Sequence, residues 1–231
     1  MYLERLRENL ARVEAQIAEA LDRAGRKDEV ALVAVTKGHP PEAVEAAIAV
    51  GLRRCGENRV QELEAKVASV GRERVEWHLI GHLQRNKVRR ALPLFDLIHS
   101  IDSLRLAEEL SKEAGRQGRE VHGLVQVNAS GEATKGGFSP EETVEAVARI
   151  VELPGVRIHG LMTMAPFTDD ERILRRTFAE TRRLFEQCAR EVAGFDARHL
   201  SMGMSNDFQI AVEEGSTMVR LGTILFGERK P

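Results

Sequence analysis

Apolar side chains recur at steps of three and four positions through the first 25 residues, which is the spacing of one face of an α-helix. The stripe comprises Leu3, Leu6, Leu10, Val13, Ile17 and Leu21. Residues 30–35 differ, because six apolar residues follow one another there without a break. A short, β-branched run is typical of a strand buried on both faces of a parallel sheet. The sequence therefore predicts a leading helix over residues 1–25, followed by a buried strand.

Strand and helix patterns alternate along the rest of the chain. Further strands are predicted at 53–56, 75–80, 94–101, 121–127, 156–164, 197–202 and 217–221. Helical patterns lie between them at 43–48, 57–70, 84–92, 103–116, 140–152, 170–192 and 206–214. This alternation predicts an α/β fold, a single (β/α)8 TIM-type barrel over residues 1–231 with the leading helix as an extra element. An open doubly wound sheet is the alternative.

Composition narrows the class of protein. The chain has 231 residues, of which 42% are hydrophobic and 30% charged, as in ordinary globular proteins. A net charge of −2 supplies no bulk positive field for nucleic acid or an anionic membrane. No apolar run approaches the roughly 20 residues of a membrane span. Two distant cysteines and a charged N-terminus without a signal segment favour a cytoplasmic protein.

Functional residues of such barrels lie where the strands end, and the first strand leads into Lys37. An ammonium group at the end of an apolar strand is costly unless it has a partner or a ligand. Desolvation lowers the pKa of a lysine and yields the free amine that Schiff-base formation needs. Lys37 is therefore a candidate Schiff-base lysine, and a lysine that reaches water is the alternative.

The loops after the last two strands are rich in glycine and hydroxyl groups. Ser201, Gly203 and Ser205 follow the seventh strand, and Gly222 and Thr223 follow the eighth. Phosphate sites in (β/α)8 barrels often form from these two loops. We therefore expect an anion such as phosphate here, with ordinary turns and a helix N-cap as the alternative.

Arg220 lies in the otherwise apolar eighth strand and needs a partner, either Glu57 or Asp207 in an ion pair or an acceptor on a ligand. His78 and His82 are four positions apart, but no third ligand lies nearby in the sequence. A metal site is therefore not expected.

Six segments stand in a fixed order along the chain. They are Val33-Ala34-Val35-Thr36-Lys37, Gly56-Glu57-Asn58, Gly81-His82-Leu83-Gln84-Arg85-Asn86-Lys87, Val125-Gln126-Val127-Asn128, Ser201-Met202-Gly203-Met204-Ser205 and Val219-Arg220-Leu221-Gly222-Thr223. Together they closely resemble the pyridoxal phosphate homeostasis protein family. The resemblance runs from the first strand to Gly227, and its specificity lies in the combination. That family is similar to the barrel domain of alanine racemase, without that enzyme's second domain.

The resemblance implies that Lys37 holds pyridoxal 5'-phosphate as a covalent internal aldimine. It also implies that the cofactor's phosphate meets Ser201, Ser205, Gly222 and Thr223. Arg220 would face the pyridine nitrogen, and Asn58 would lie near the ring. The sequence departs from the usual family pattern at Gly38 and His39 and at Arg59. The resemblance therefore does not predict the rim of the cofactor site.

An arginine at the pyridine nitrogen stays protonated and donates its hydrogen bond, so the ring is a poorer electron sink than with an aspartate partner. Racemisation also needs an acid or base on the opposite face. Alanine racemase uses a tyrosine from its other domain, whereas the single tyrosine here, Tyr2, lies in the leading helix.

We therefore expect a monomeric, non-enzymatic carrier that stores, buffers or delivers pyridoxal phosphate, with cofactor-dependent apo-enzymes as partners. Nucleic acid and membranes are not expected as partners. A pyridoxal-phosphate-dependent amino-acid racemase is one alternative, and a Schiff-base aldolase acting on a phosphorylated sugar is another.

Overall fold

The computed structural model describes residues 2–132 and 136–228. Eight parallel strands form a closed barrel in which each strand pairs with the next and the eighth pairs with the first. The strands are β1 Ala31–Val35, β2 Arg54–Glu57, β3 Glu76–Leu79, β4 Leu97–Ile101, β5 Val121–Val127, β6 Val156–Thr163, β7 His199–Ser201 and β8 Met218–Leu221. The predicted (β/α)8 barrel is confirmed, and the open doubly wound sheet is wrong because β1 and β8 are hydrogen-bonded neighbours.

Helices follow the strands around the outside of the barrel. They are α1 Tyr2–Arg23, α2 Pro41–Ala49, α3 Val60–Val70, α4 Val88–Ala91, α5 Leu104–Gln117, α6 Pro140–Val151, α7 Glu171–Glu191, α8 Phe208–Glu213 and α9 Thr223–Phe226, with short 3-10 turns at Arg72–Arg74 and Arg85–Lys87. Within the described ranges, no helix is long and apolar enough to cross a membrane.

Three segments differ from the sequence-based prediction. The strand predicted at 94–101 begins only at Leu97, because Leu94 lies in a turn and Phe95 is buried from the segment between that turn and the strand. The helix predicted at 84–92 is a 3-10 turn followed by one α-helical turn. The short helix α9 lies where only a loop was expected. In each case apolar side chains are buried without the type of secondary structure that their pattern predicted.

Apolar side chains pack in two separate places, as expected of a barrel with an outer ring of helices. A small cluster fills part of the barrel interior, and its buried members are Val33, Leu97, Leu124, Met162 and Met218. A much larger cluster lies between the strands and the helices. The inner cluster shares the interior with several buried polar residues, and these polar residues lead towards the carboxyl ends of the strands.

The leading helix α1 is part of this packing rather than an appendage. Its buried stripe contains Leu6, Leu10, Val13, Ile17 and Ala20. The same helix ties down the end of the chain, because the Asn9 amide donates to the carbonyl of Leu225 at 2.9 Å. Tyr2 also contacts the ring of His39, which lies two residues after Lys37. Helix α1 therefore supports both the first and the last strand-end loops.

Candidate functional site

A cavity of about 730 Å³ opens where the strands end. Its wall includes residues from or just after all eight strands, as the closed topology requires. This volume lies in the range of roughly 300–1,000 Å³ that is usual for small-molecule sites. The lining combines apolar side chains with a few polar groups that converge on one space.

Six of the seven predicted site residues line this single cavity. They are Lys37, Asn58, Ser205, Arg220, Gly222 and Thr223. Ser201 is the exception, because its side chain is fully buried in the barrel and does not reach the cavity wall. The structure therefore gives Ser201 a different position from the phosphate side that the resemblance implied.

Lys37 lies in the turn that follows β1. The strand ends at Val35, and Val35 and Lys37 both line the cavity. The turn closes through a hydrogen bond from the His39 amide to the Thr36 carbonyl at 3.0 Å. Gly38 has a φ of 70°, a conformation that glycine adopts without steric cost. The tight turn holds the Lys37 backbone at the mouth of the barrel while the side chain is half-buried.

The loops after β7 and β8 meet at the Ser205 hydroxyl. Its oxygen accepts long hydrogen bonds from the amides of Gly222 at 3.4 Å and Ile224 at 3.3 Å. A side chain at position 222 would place its Cβ only 3.3 Å from the Val35 carbonyl oxygen, so glycine allows this close approach. Ser205, Gly222 and Thr223 lie together on the cavity wall, and their hydroxyls and backbone form a donor cup suited to an anion.

Arg220 is the buried cation of the cavity, with 4% of its surface exposed. Its guanidinium donates to the Ser201 carbonyl at 2.9 Å, the Ser201 hydroxyl at 2.6 Å and the Thr163 carbonyl at 2.9 Å. Burial lowers the pKa of Arg220 to about 10, so the side chain remains protonated at neutral pH. Of the partners considered from the sequence, Glu57 is taken by Lys66 at 2.5 Å, whereas the charge of Asp207 lies close enough to raise the pKa of Arg220 against the effect of burial.

A chain of hydrogen bonds runs from Arg220 through the interior of the barrel. His99 Nδ1 lies 3.0 Å from the Ser201 hydroxyl, and His99 Nε2 lies 2.9 Å from His78 Nδ1. His78 Nε2 in turn lies 3.0 Å from a Glu76 carboxylate oxygen at the start of β3. The strand direction places Glu76 at the end of the barrel opposite the cavity.

One arrangement of protons satisfies this whole chain when Glu76 is ionised and both imidazoles are neutral. The hydrogen bond from His78 lowers the pKa of Glu76, which favours the ionised carboxylate. His78 then donates through Nε2 and accepts at Nδ1 from His99. His99 accepts from the Ser201 hydroxyl, whose oxygen accepts from Arg220. The Ser201 hydroxyl therefore links Arg220 to the buried histidines.

Among the cavity residues that were not identified from the sequence, His82, Asp102 and Phe167 have the most distinctive side chains. His82 Nδ1 lies 2.7 Å from an Asp102 carboxylate oxygen, and both residues line the cavity. Phe167, at the mouth, is 94% exposed. Asp102 directly follows β4, so its position at a strand end was a usable signal for it. Among the residues that the structure describes, no group of three or more potential ligands could hold a metal ion.

The two departures from the expected family pattern lie outside the cavity wall. His39 is buried against Phe226, with ring centroids 5.4 Å apart, and its Nδ1 lies 3.3 Å from the Tyr2 hydroxyl. Arg59 is exposed and lines a neighbouring cleft instead. Neither departure alters the lining of the cavity that contains Lys37.

A (β/α)8 barrel with a lysine, a buried arginine and a donor cup at its mouth defines a class of protein. Residues 8–230 match the family described as alanine racemase, N-terminal domain. An alanine racemase from Clostridium difficile superposes with a TM-score of 0.79 at 18% identity, over 99% of this chain and 58% of that chain. At that identity the superposition shows a shared fold.

Relatives of higher sequence identity show to which family within this class the chain belongs. A pyridoxal phosphate homeostasis protein of Aquifex aeolicus is 43% identical over 96% of this chain and 98% of the relative. The Escherichia coli K12 protein of the same name is 40% identical over 96% and 95%. PipY of Synechococcus elongatus, solved with pyridoxal phosphate bound, superposes at 39% identity with a TM-score of 0.80, over 91% of this chain and all of that chain. The chain belongs to the pyridoxal phosphate homeostasis protein family, as the sequence motifs predicted.

The buried histidines predict how stability depends on pH. Burial, together with the nearby His78 and Arg220, holds the pKa of His99 well below its ordinary value of 6.5, so folded His99 takes up no proton in mild acid. The unfolded chain does bind that proton below about pH 6.5, so acid favours unfolding. His99 should therefore remove about 1.4 kcal/mol of unfolding free energy per pH unit below about pH 6. His199, with a pKa lowered to about 4, acts in the same direction.

Urea unfolding of the cofactor-free protein at a series of pH values measures this effect. The His99→Gln variant should lose that part of the acid slope and run parallel to the wild type above neutral pH. An identical acid slope in the two proteins would show that His99 is not held neutral in the folded state.

Proposed function

We propose that this protein binds pyridoxal 5'-phosphate through Lys37 and keeps it available in the cell, by storage, buffering or delivery, without catalytic turnover. The observation that carries the proposal is the convergence of Lys37, Arg220 and the donor cup on one cavity. We further propose that residues 1–231 act as one monomeric unit in the cytoplasm and pass the cofactor to apo-enzymes that depend on it.

The chemistry of the donor set fits this ligand group by group. The Lys37 amine suits the aldehyde, and it is the cavity's lysine among the described residues. The hydroxyls of Ser205 and Thr223, with the Gly222 backbone beside them, suit a phosphate dianion. The PipY structure supports this interpretation, since that relative binds the same compound. Bound to a lysine, the cofactor supplies an electron-withdrawing ring that can stabilise negative charge on an attached carbon.

Arg220 supports a carrier rather than a catalyst. Its three hydrogen bonds to Ser201 and Thr163 and its place in the cavity wall leave it able to donate to a ring nitrogen. A protonated arginine cannot protonate that nitrogen fully at neutral pH, so the ring would withdraw electrons weakly. Asn58, which lines the same wall, is proposed to lie beside the ring.

The position of Tyr2 further supports the absence of racemase chemistry. Tyr2 is the single tyrosine of the chain, and its hydroxyl contacts His39 rather than the cavity. One observation favours the alternative of a racemase-like enzyme. The His82–Asp102 pair lines the cavity with Lys37 and has the composition of a general acid–base pair.

Replacing Lys37 tests the attachment point. The Lys37→Ala variant should lose the visible absorbance band of the bound cofactor and keep the unfolding midpoint of the wild type, because it removes a half-buried rim side chain and no core volume. Lys87→Ala is the matched control, since Lys87 lines the neighbouring cleft and should keep the band. A band of wild-type intensity in Lys37→Ala would contradict the assignment.

Replacing the hydroxyls of the donor cup tests the phosphate site. Hydrogen bonds to a charged group contribute roughly 1.5–3 kcal/mol each. The Ser205→Ala/Thr223→Val double variant should therefore bind pyridoxal phosphate about tenfold or more weakly. Wild type should bind unphosphorylated pyridoxal much more weakly than the phosphate, and the double variant should narrow that difference.

Titrations of both ligands into both proteins, followed at the absorbance band, give the comparison. Ser111→Ala on helix α5 is the control, because its hydroxyl bonds Pro154 away from the cavity. Equal affinity of the wild type for the two ligands would show that the cup does not hold a phosphate.

Amino-acid turnover separates the carrier from the racemase-like enzyme. The loaded protein should interconvert or transaminate common amino acids far below the roughly 10 per second of an ordinary enzyme. Chiral chromatography of the amino acids after incubation measures this rate. Turnover near the ordinary value that disappears in the His82→Gln variant would establish the enzyme instead.

A further inference from the structure

A buried cluster of charged residues lies directly behind the Lys37 turn. Lys66 of α3 is 3% exposed, and Glu57 at the end of β2 is fully buried. Glu62, one helical turn before Lys66, completes the cluster. None of the three lines the cavity, so the cluster is separate from the groups assigned to the ligand.

Lys66 joins three parts of the structure through one ammonium group. Its Nζ donates to the Thr36 carbonyl at 2.6 Å and to a Glu57 carboxylate oxygen at 2.5 Å. A third, longer contact reaches Glu62 at 3.4 Å. The Thr36 hydroxyl donates to the same Glu57 oxygen at 2.5 Å. The ends of β1 and β2 are thus tied to helix α3.

These contacts hold the residues on both sides of Lys37. Thr36, immediately before Lys37, is held through its carbonyl and its hydroxyl. Gly38, immediately after Lys37, donates its amide to Glu62. Beyond Gly38, the ring of His39 is held between Tyr2 and Phe226. The backbone of Lys37 is therefore fixed from both sides, while its side chain reaches the cavity.

Stability alone is a poor explanation for this cluster. Burial raises the pKa of Glu57, and its second carboxylate oxygen has no hydrogen-bond partner within the described part of the chain. Apolar residues of similar volume are often as stabilising as a buried ion pair, or more so. What an apolar replacement would not supply is the set of directional bonds to Thr36. Reactive groups need placement to about 0.5 Å, and such placement comes from neighbours of this kind.

We propose that Lys66 and Glu57, together with Glu62, are positioning residues for Lys37, setting the direction in which its amine meets the ligand's aldehyde. The inference rests on the proposed function, because it takes Lys37 as the attachment point. Lys66 is itself an unsuitable attachment point, since its three donor directions are directed at oxygen atoms and it is buried.

Binding experiments with two different ligands distinguish a positioning role of the cluster from a general structural role. Pyridoxal 5'-phosphate reports placement of the Lys37 amine, through the rate at which the absorbance band forms. Pyridoxine 5'-phosphate has no aldehyde, so calorimetry with it reports the rest of the cavity. The variants are Lys66→Met, which leaves Glu57 unpaired, and Lys66→Met/Glu57→Gln, which removes both charges and keeps an acceptor for Thr36.

Both variants should form the band about tenfold or more slowly than wild type, because small misplacements of a reactive group carry costs of this size. Both should retain wild-type affinity for pyridoxine 5'-phosphate. Lys66→Met is also expected to be less stable than the wild type, since it leaves the buried Glu57 carboxylate without its partner. The double variant removes the unpaired charge and keeps the test interpretable if the single variant does not fold. The control is Glu113→Gln, which alters another buried carboxylate, paired with Arg116 on α5.

Band formation at the wild-type rate in the double variant would overturn the positioning role. If the double variant bound both ligands more weakly to the same extent, the positioning role would also be overturned, because the cluster would then support the whole cavity. Failure of the wild type to bind either ligand would contradict the proposed function itself, so the two failures are distinguishable.

Discussion

The buried charge of Arg220 is the constraint on which the interior of this barrel depends. A guanidinium that is 4% exposed is tolerable only when its N–H groups meet acceptors. Thr163 and Ser201 provide those acceptors, and Ser201 in turn bonds to His99. The interior of the barrel is therefore partly polar, and a small apolar cluster lies beside this chain of hydrogen bonds. As a result, the guanidinium of Arg220 provides a fixed positive charge at the cavity wall.

The other groups of the site are placed by the strands that they follow. Lys37 comes from the end of β1, and the donor cup comes from the loops after β7 and β8. Since β8 pairs with β1, closure of the barrel brings the amine and the cup to one side of the cavity. Helix α1 reinforces this arrangement, because it bonds to Leu225 near the cup and contacts His39 near the lysine. The proposed covalent attachment and the proposed anion binding would thus lie side by side at one closed sheet.

Much of this arrangement was predictable from the sequence, and the reasons for the remainder are physical. Alternating strand and helix patterns predict the barrel, and residues at strand ends such as Lys37 and Thr223 then fall on one wall. The sequence did not predict that Ser201 is buried inside the barrel, because a strand's last residue can point into the barrel as well as towards its mouth. His99 and Ser201 lie 102 residues apart, so their contact leaves no local pattern. The burial of Lys66 was equally unpredictable from the sequence, since a lysine on a helix usually lies in water.

The central claim is that the amine of Lys37, and no other lysine, holds pyridoxal phosphate in this cavity. Borohydride reduction of the wild-type protein loaded with pyridoxal phosphate, followed by peptide mass spectrometry, tests it most directly. The account predicts one reduced cofactor adduct, located on Lys37. An adduct at a different lysine with Lys37 unmodified, or no adduct at all, would contradict it.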